Sequence, residues 1–112
     1  MSMNKLIMST LQPLNYPVYP IHYPGDLDTY VTFFQYNEGS ALHADDKEQL
    51  TQYFYQVDVW TKNPTVYTSL VNQVKEALVS AGFTRRSAID LYEKETQVYH
   101  KAMRFSFVQK SM

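Results

Sequence analysis

Near the end of the chain, VYHKAMRFSFV (Val98 to Val108) sets His100, Lys101 and Arg104 in an otherwise apolar and aromatic stretch. Such groups could form a reactive cluster or serve the assembly of subunits. Successive side chains of a strand point to opposite faces. Alternation therefore turns Tyr99, Met103, Phe105 and Phe107 inward together with Lys101, and His100, Ala102, Arg104 and Ser106 outward. Lys101 is thus separated from the other two charges, which argues against a catalytic cluster. Two readings stand for His100 and Arg104: a polar outer sheet face that pairs with Asp58 or a neighbouring strand, or a charge contact between subunits.

The remaining candidates for chemistry are scattered. HADD contains ligand-type residues in His43, Asp45 and Asp46, but no second cluster at metal-ligand spacing accompanies it. A solvated loop tip is the simpler reading. His22, His43 and His100 lie far apart, no serine sits in a G-x-S-x-G elbow and the chain has no cysteine, so a nucleophilic triad has no support. Asp58, Asp90, Glu93 and Glu95 could pair as acid and base, yet carboxylates on strand surfaces are commonly solvated or ion-paired. The three glycines, Gly25, Gly39 and Gly82, are too dispersed for a phosphate-binding loop. Arg85 and Arg86 follow a predicted helix end, where cations complement the helix dipole, and a partner contact is the alternative. No cofactor and no metal is implied.

The elements that must position these residues are legible in the periodicities. Met3 to Leu11 forms a short helix in which Met3, Leu6, Ile7 and Leu11 recur near the helical period before Pro13 ends it. LNYPVYPIHYPGD carries Pro17, Pro20 and Pro24, which permits an edge segment and not a central strand. Tyr30 to Tyr36 and Thr51 to Thr61 read as strands, the second with Tyr53, Tyr55, Val57 and Val59 on its core face. The polar segment between them, Asn37 to Leu50, reads as a long projecting hairpin loop.

Asn63-Pro64 marks a helix start, and Val66, Leu70, Val74 and Leu78 form one apolar stripe up to Gly82, the expected left-handed stop. The tail forms a second hairpin, Thr84 to Glu93 and Val98 to Val108, turning at residues 94 to 96. This order predicts an α+β fold in a single domain over 1–112: a mainly antiparallel β-sheet with one long helix packed on one face and a short N-terminal helix.

With 112 residues only one modest core is expected, and association of subunits would add to its stability. Ten Lys and Arg against eleven Asp and Glu give no basic field for nucleic acid, so no specific nucleic-acid partner is expected. No apolar stretch is long enough for a membrane span and no secretory leader is evident, so a soluble protein with no membrane partner is expected. Ten Tyr, six Phe and one Trp are many for this length, and tyrosine suits half-buried sheet faces and protein interfaces alike.

Three stretches together carry a resemblance: VDVWTKNPT (Val57 to Thr65), LVNQVKEALVSAGF (Leu70 to Phe83) and DLYEKETQVYHKAMRF (Asp90 to Phe105). In this order they resemble the tail-completion, or tail-terminator, proteins of long-tailed bacteriophages and Gram-positive prophages, often described as head-tail joining proteins. The likeness covers most of the chain.

It implies a non-enzymatic structural protein of the virion tail or neck, present in the host cytoplasm during assembly, that caps the tail tube as a homohexameric ring. Its partners would be copies of itself, the tail-tube protein and the head connector protein. The resemblance supplies no catalytic residues. On this reading His43, Asp45, Asp46 and Lys47 meet the tail tube or connector, while His100 and Arg104 face a neighbouring subunit, with Arg85 and Arg86 as further interface candidates. A head-side connector component, a peptide-binding module using an exposed sheet edge, and a carboxylate hydrolase with a deep acidic pocket are the alternatives.

Overall fold

The computed structural model of the chain describes residues 2–44 and 47–110, with side chains described outside 40–49 and 110. Helix α1 spans Met3–Leu11, and the side chain of Ser2 caps it by accepting from the Lys5 N–H at 3.3 Å. A nine-residue helix is marginal by itself. It is held by Met3, Ile7 and Leu11, one buried stripe at four-residue spacing. Pro13 lies in the 3-10 turn Gln12–Leu14 that follows.

Strand β1, Val18–Pro20, pairs parallel with β2, Tyr30–Ala44, which pairs antiparallel with β3, Lys47–Thr61. Helix α2, Pro64–Ser80, then leads to the hairpin of β4, Thr84–Glu93, and β5, Val98–Lys110. The sheet order is β1-β2-β3-β5-β4, so β1 and β4 are its edges. The expected α+β class and the Pro-rich edge strand are both present.

The expected loop is different. Asn37 to Ala44 continues β2 and Lys47 to Leu50 begins β3, paired from Asn37↔Phe54 to Ala44↔Lys47. Its polar composition suggests a loop, but strand propensity is weak and cross-strand pairing overrides it. The two strands form a ribbon whose register shifts between Gln35 and Asn37, between Ser40 and Leu42, and between Leu42 and His43. The turn of the second hairpin is one residue longer than expected, ending at Gln97 with φ 59°.

Both helices pack on one sheet face. Ile7 and Leu11 of α1 and Leu70, Val74 and Leu78 of α2 join Val31, Phe33, Tyr55, Val57, Val59, Met103 and Phe105 in one buried core. Each fully buried aliphatic or Phe side chain contributes roughly 1.5 to 3 kcal/mol before chain entropy is subtracted.

Helix α2 begins where Asn63 Oδ1 accepts from the N–H groups of Thr65 and Val66 at 2.9 and 3.1 Å, with Pro64 in the first turn. It ends at Gly82, φ 108°, where the Phe83 N–H reaches back to the Leu78 carbonyl at 3.0 Å. Phe83 then turns its ring edge-on to Phe105 and drops into the core. Among the described residues no helix is long and apolar enough to cross a membrane.

Candidate assembly interface

Neither helix covers the opposite face of the sheet, on which register aligns Thr32 with Asp58, Asp58 with Ala102, Trp60 with His100 and Gln56 with Arg104. At one end of this face Asp58 is only 3% exposed, the paired alternative to a solvated strand carboxylate. Buried charge survives only when its lone pairs are used. Asp58 Oδ1 lies 2.8 Å from His100 Nε2 and accepts from Gln56 Nε2 at 3.0 Å. The His100 ring is stacked on Trp60, centroids 3.6 Å apart, and Trp60 Nε1 donates to Thr32 Oγ1 at 3.0 Å. His100 therefore makes the internal pairing with Asp58 that alternation allowed, and its side chain is 14% exposed.

The stack continues beyond Trp60. Tyr30 lies 5.9 Å from it, Tyr23 lies 4.5 Å from Tyr30, and Tyr19 lies 5.4 Å from Tyr23. This ladder ties the Pro-rich segment around Tyr23 to three strands of the sheet. Sequence reasoning missed it. The abundance of tyrosine was the only signal, and stacking order depends on strand register.

The middle of the same face brings two of the candidate arginines together. Arg104 Nε donates to Gln56 Oε1 at 3.2 Å, and its guanidinium lies 4.6 Å from the Tyr36 ring centre. Arg86 Nη1 donates to Ser106 Oγ at 3.2 Å, and its guanidinium lies 5.9 Å from the Phe54 ring centre. Tyr36 and Phe54 are themselves in contact, 5.9 Å apart.

Tyr36 and Arg86 both lie at register shifts, the first between Gln35 and Asn37 and the second between Arg85 and Ser87, so neither has a partner in the regular ladder. Arg85 pairs instead with Phe105. The arginines thus sit on a strand and not on the last turn of α2, which carries no basic residue. Among the described residues neither Arg86 nor Arg104 pairs with a carboxylate. Asp45 and Asp46 lie outside the described residues, and of His43 and Lys47 only the strand backbone is described.

Lys101 faces the helix side, as alternation predicted, and is half-buried there with its charge paired. Its Nζ donates to Asp90 Oδ1 at 3.0 Å, and the Tyr67 hydroxyl of α2 donates to the same oxygen. The Tyr67 bond, and after it that of Lys101, holds the Asp90 carboxyl below its ordinary value of 3.8. Burial, reinforced by Asp90, pushes the Tyr67 phenol up.

Three open grooves of about 550, 370 and 270 Å³ among the described residues carry no Asp or Glu on their walls. Nor do the described residues hold a cluster of three potential metal ligands. The geometry is that of a surface for contact, with guanidinium groups spread over aromatic rings.

Comparison with known families places the chain among the structural proteins of bacteriophage tails. It belongs to the family described as tail completion protein gp17, whose model matches residues 17–110. A solved structure from the virion of a native gene transfer agent particle superposes with a TM-score of 0.74 at 18% identity, covering 98% of this chain and 96% of that one. A second solved chain gives a TM-score of 0.55 at 10% identity, covering 100% of this chain and 98% of the other. These likenesses bear on the fold alone. No curated protein matches the chain.

Proposed function

We propose that this protein is a non-enzymatic subunit that caps the phage tail tube and joins it to the head connector as a homohexameric ring. It would reside at the tail or neck of the virion after assembly in the host cytoplasm. The observation that carries this reading is the family match over residues 17–110. The uncovered sheet face supports it, because a ring joins two different surfaces of each subunit and this face offers a built contact surface. Arg86 and Arg104, spread over Tyr36 and Phe54, are the residues assigned to a neighbouring subunit. His43 near the end of β2 and Lys47 at the start of β3, with Asp45 and Asp46 between them in the sequence, are assigned to the tail tube or connector. Electron microscopy of tails assembled with and without the protein tests the reading. Tails of uncontrolled length, or without heads, are expected in its absence, and normal virions would refute it.

A further inference from the structure

The two edges of the sheet differ in what they can bind. At the β1 edge only Val18–Pro20 pairs, Pro17 precedes it and Pro20 ends it, and proline has no N–H to offer another strand. At the β4 edge ten consecutive residues are exposed, with Ile89, Leu91 and Tyr92 at 57%, 44% and 49%. Proteins usually blunt an edge of that length. Here the register shift between Arg85 and Ser87 disturbs only its first residues, and Ser87 to Glu93 pairs regularly with β5.

An open edge needs a partner strand of similar length, and β1 cannot supply it in a head-to-tail arrangement. The matching edge on this molecule is β4 itself. Its charges are ordered: Arg85 and Arg86 lie in the first half, Asp90 and Glu93 in the second. Antiparallel pairing of two copies lays each basic half along the other copy's acidic half, whereas parallel pairing opposes like charges. Centring the pair on Ile89 sets Ser87 opposite Leu91 of the second copy and brings Arg85 and Arg86 alongside its Tyr92 and Glu93. It also covers the exposed Ile89 with its own counterpart.

We propose that the free protein forms a two-fold dimer by antiparallel β4 to β4 pairing centred on Ile89, merging the two sheets into one. The association is self-limiting, because the edges left free are the proline-bearing β1 strands. It is a separate contact from the ring and does not depend on the tail-capping reading.

The chain has no cysteine, so single cysteines report the register directly. Residues directly opposed across an antiparallel pair have Cα atoms about 4.5 to 5.5 Å apart, within disulfide reach. Ile89→Cys should therefore give a covalent dimer on mild oxidation. Glu93→Cys should not, because its two copies would lie about 27 Å apart, eight strand steps along the axis.

Sedimentation velocity of the unmodified protein at micromolar concentration should show a dimer. Ile89→Lys with Leu91→Lys should convert it to monomer with an unchanged circular dichroism spectrum. A monomer or hexamer for the unmodified chain, or equal cross-linking at both cysteine positions, would overturn the proposal. Either result leaves the capping role to be judged on assembled tails.

Discussion

Asp58 and His100 stand 42 residues apart in the chain and meet at 2.8 Å on adjacent strands, the carboxylate buried and the imidazole stacked on Trp60. Removing one partner of a buried polar pair costs more than the pair contributes, because the group left behind is desolvated and unsatisfied. Asp58→Ala is expected to destabilise the fold by about 1 to 3 kcal/mol. His100→Ala should cost a similar amount, and the double variant less than the sum of the two. Urea unfolding followed by the fluorescence of Trp60, the single tryptophan, measures all three.

The Arg104 side chain is exposed, bonded to Gln56 and laid over the Tyr36 ring. Losing an exposed cation–π contact costs about 0.5 to 1 kcal/mol. Arg104→Glu should therefore fold with near-normal stability yet fail to form rings on tail ends. Arg104→Lys should assemble weakly, since an ammonium cannot lie flat on the ring. Normal rings with Arg104→Glu in electron micrographs would remove this residue from the interface.

The Tyr67, Asp90 and Lys101 cluster ties the first turn of α2 to the β4–β5 hairpin. Asp90 has a lowered pKa in the folded state, so its contribution to stability is fully present above its ordinary value of 3.8 and is lost as pH falls through the folded value. Tyr67 has a raised one, so its contribution is present below its ordinary value of 10.0 and is lost as pH rises through the folded value. Asp90→Asn should flatten the acid limb of a plot of stability against pH, while Tyr67→Phe should flatten the alkaline limb. Thermal unfolding between pH 2 and pH 11 would show both, each variant against the parent chain.

At Gly82 two constraints coincide. Its φ of 108° is disfavoured for a residue with a Cβ, and a Cβ built there would lie 3.2 Å from Cε2 of Phe107. Gly82→Val is expected to lower stability by roughly 1 to 3 kcal/mol. The same change at Gly39, where a Cβ would meet nothing within 4 Å and φ is not in the left-handed range, should have a far smaller effect. Chemical denaturation of the two variants side by side tests the contrast.

Much of this molecule was legible from local chemistry. Pro13, Asn63, Pro64 and Gly82 act within a few residues of themselves, so both helices follow from spacing, and the second with both its ends. Pro17 and Pro20 confine their segment to an edge because they lack N–H groups. Period-two alternation correctly turned Tyr55, Val57 and Val59 toward the helices and left Lys101 on the side away from His100.

What sequence alone determined was therefore the element order, the inner and outer faces, and the family, since these rest on residue types and on interactions along the chain. Tertiary structure decided the rest. Strand pairing converted the polar segment after Asn37 into a ribbon, and two register shifts left Tyr36 and Arg86 outside the regular pairing beside the surface that carries Arg104. The same register set Asp58 against His100 and stacked the rings from Tyr19 to His100. Alternation fixes the face of a side chain but not its neighbour, because which residue stands opposite depends on the pairing of strands far apart in sequence.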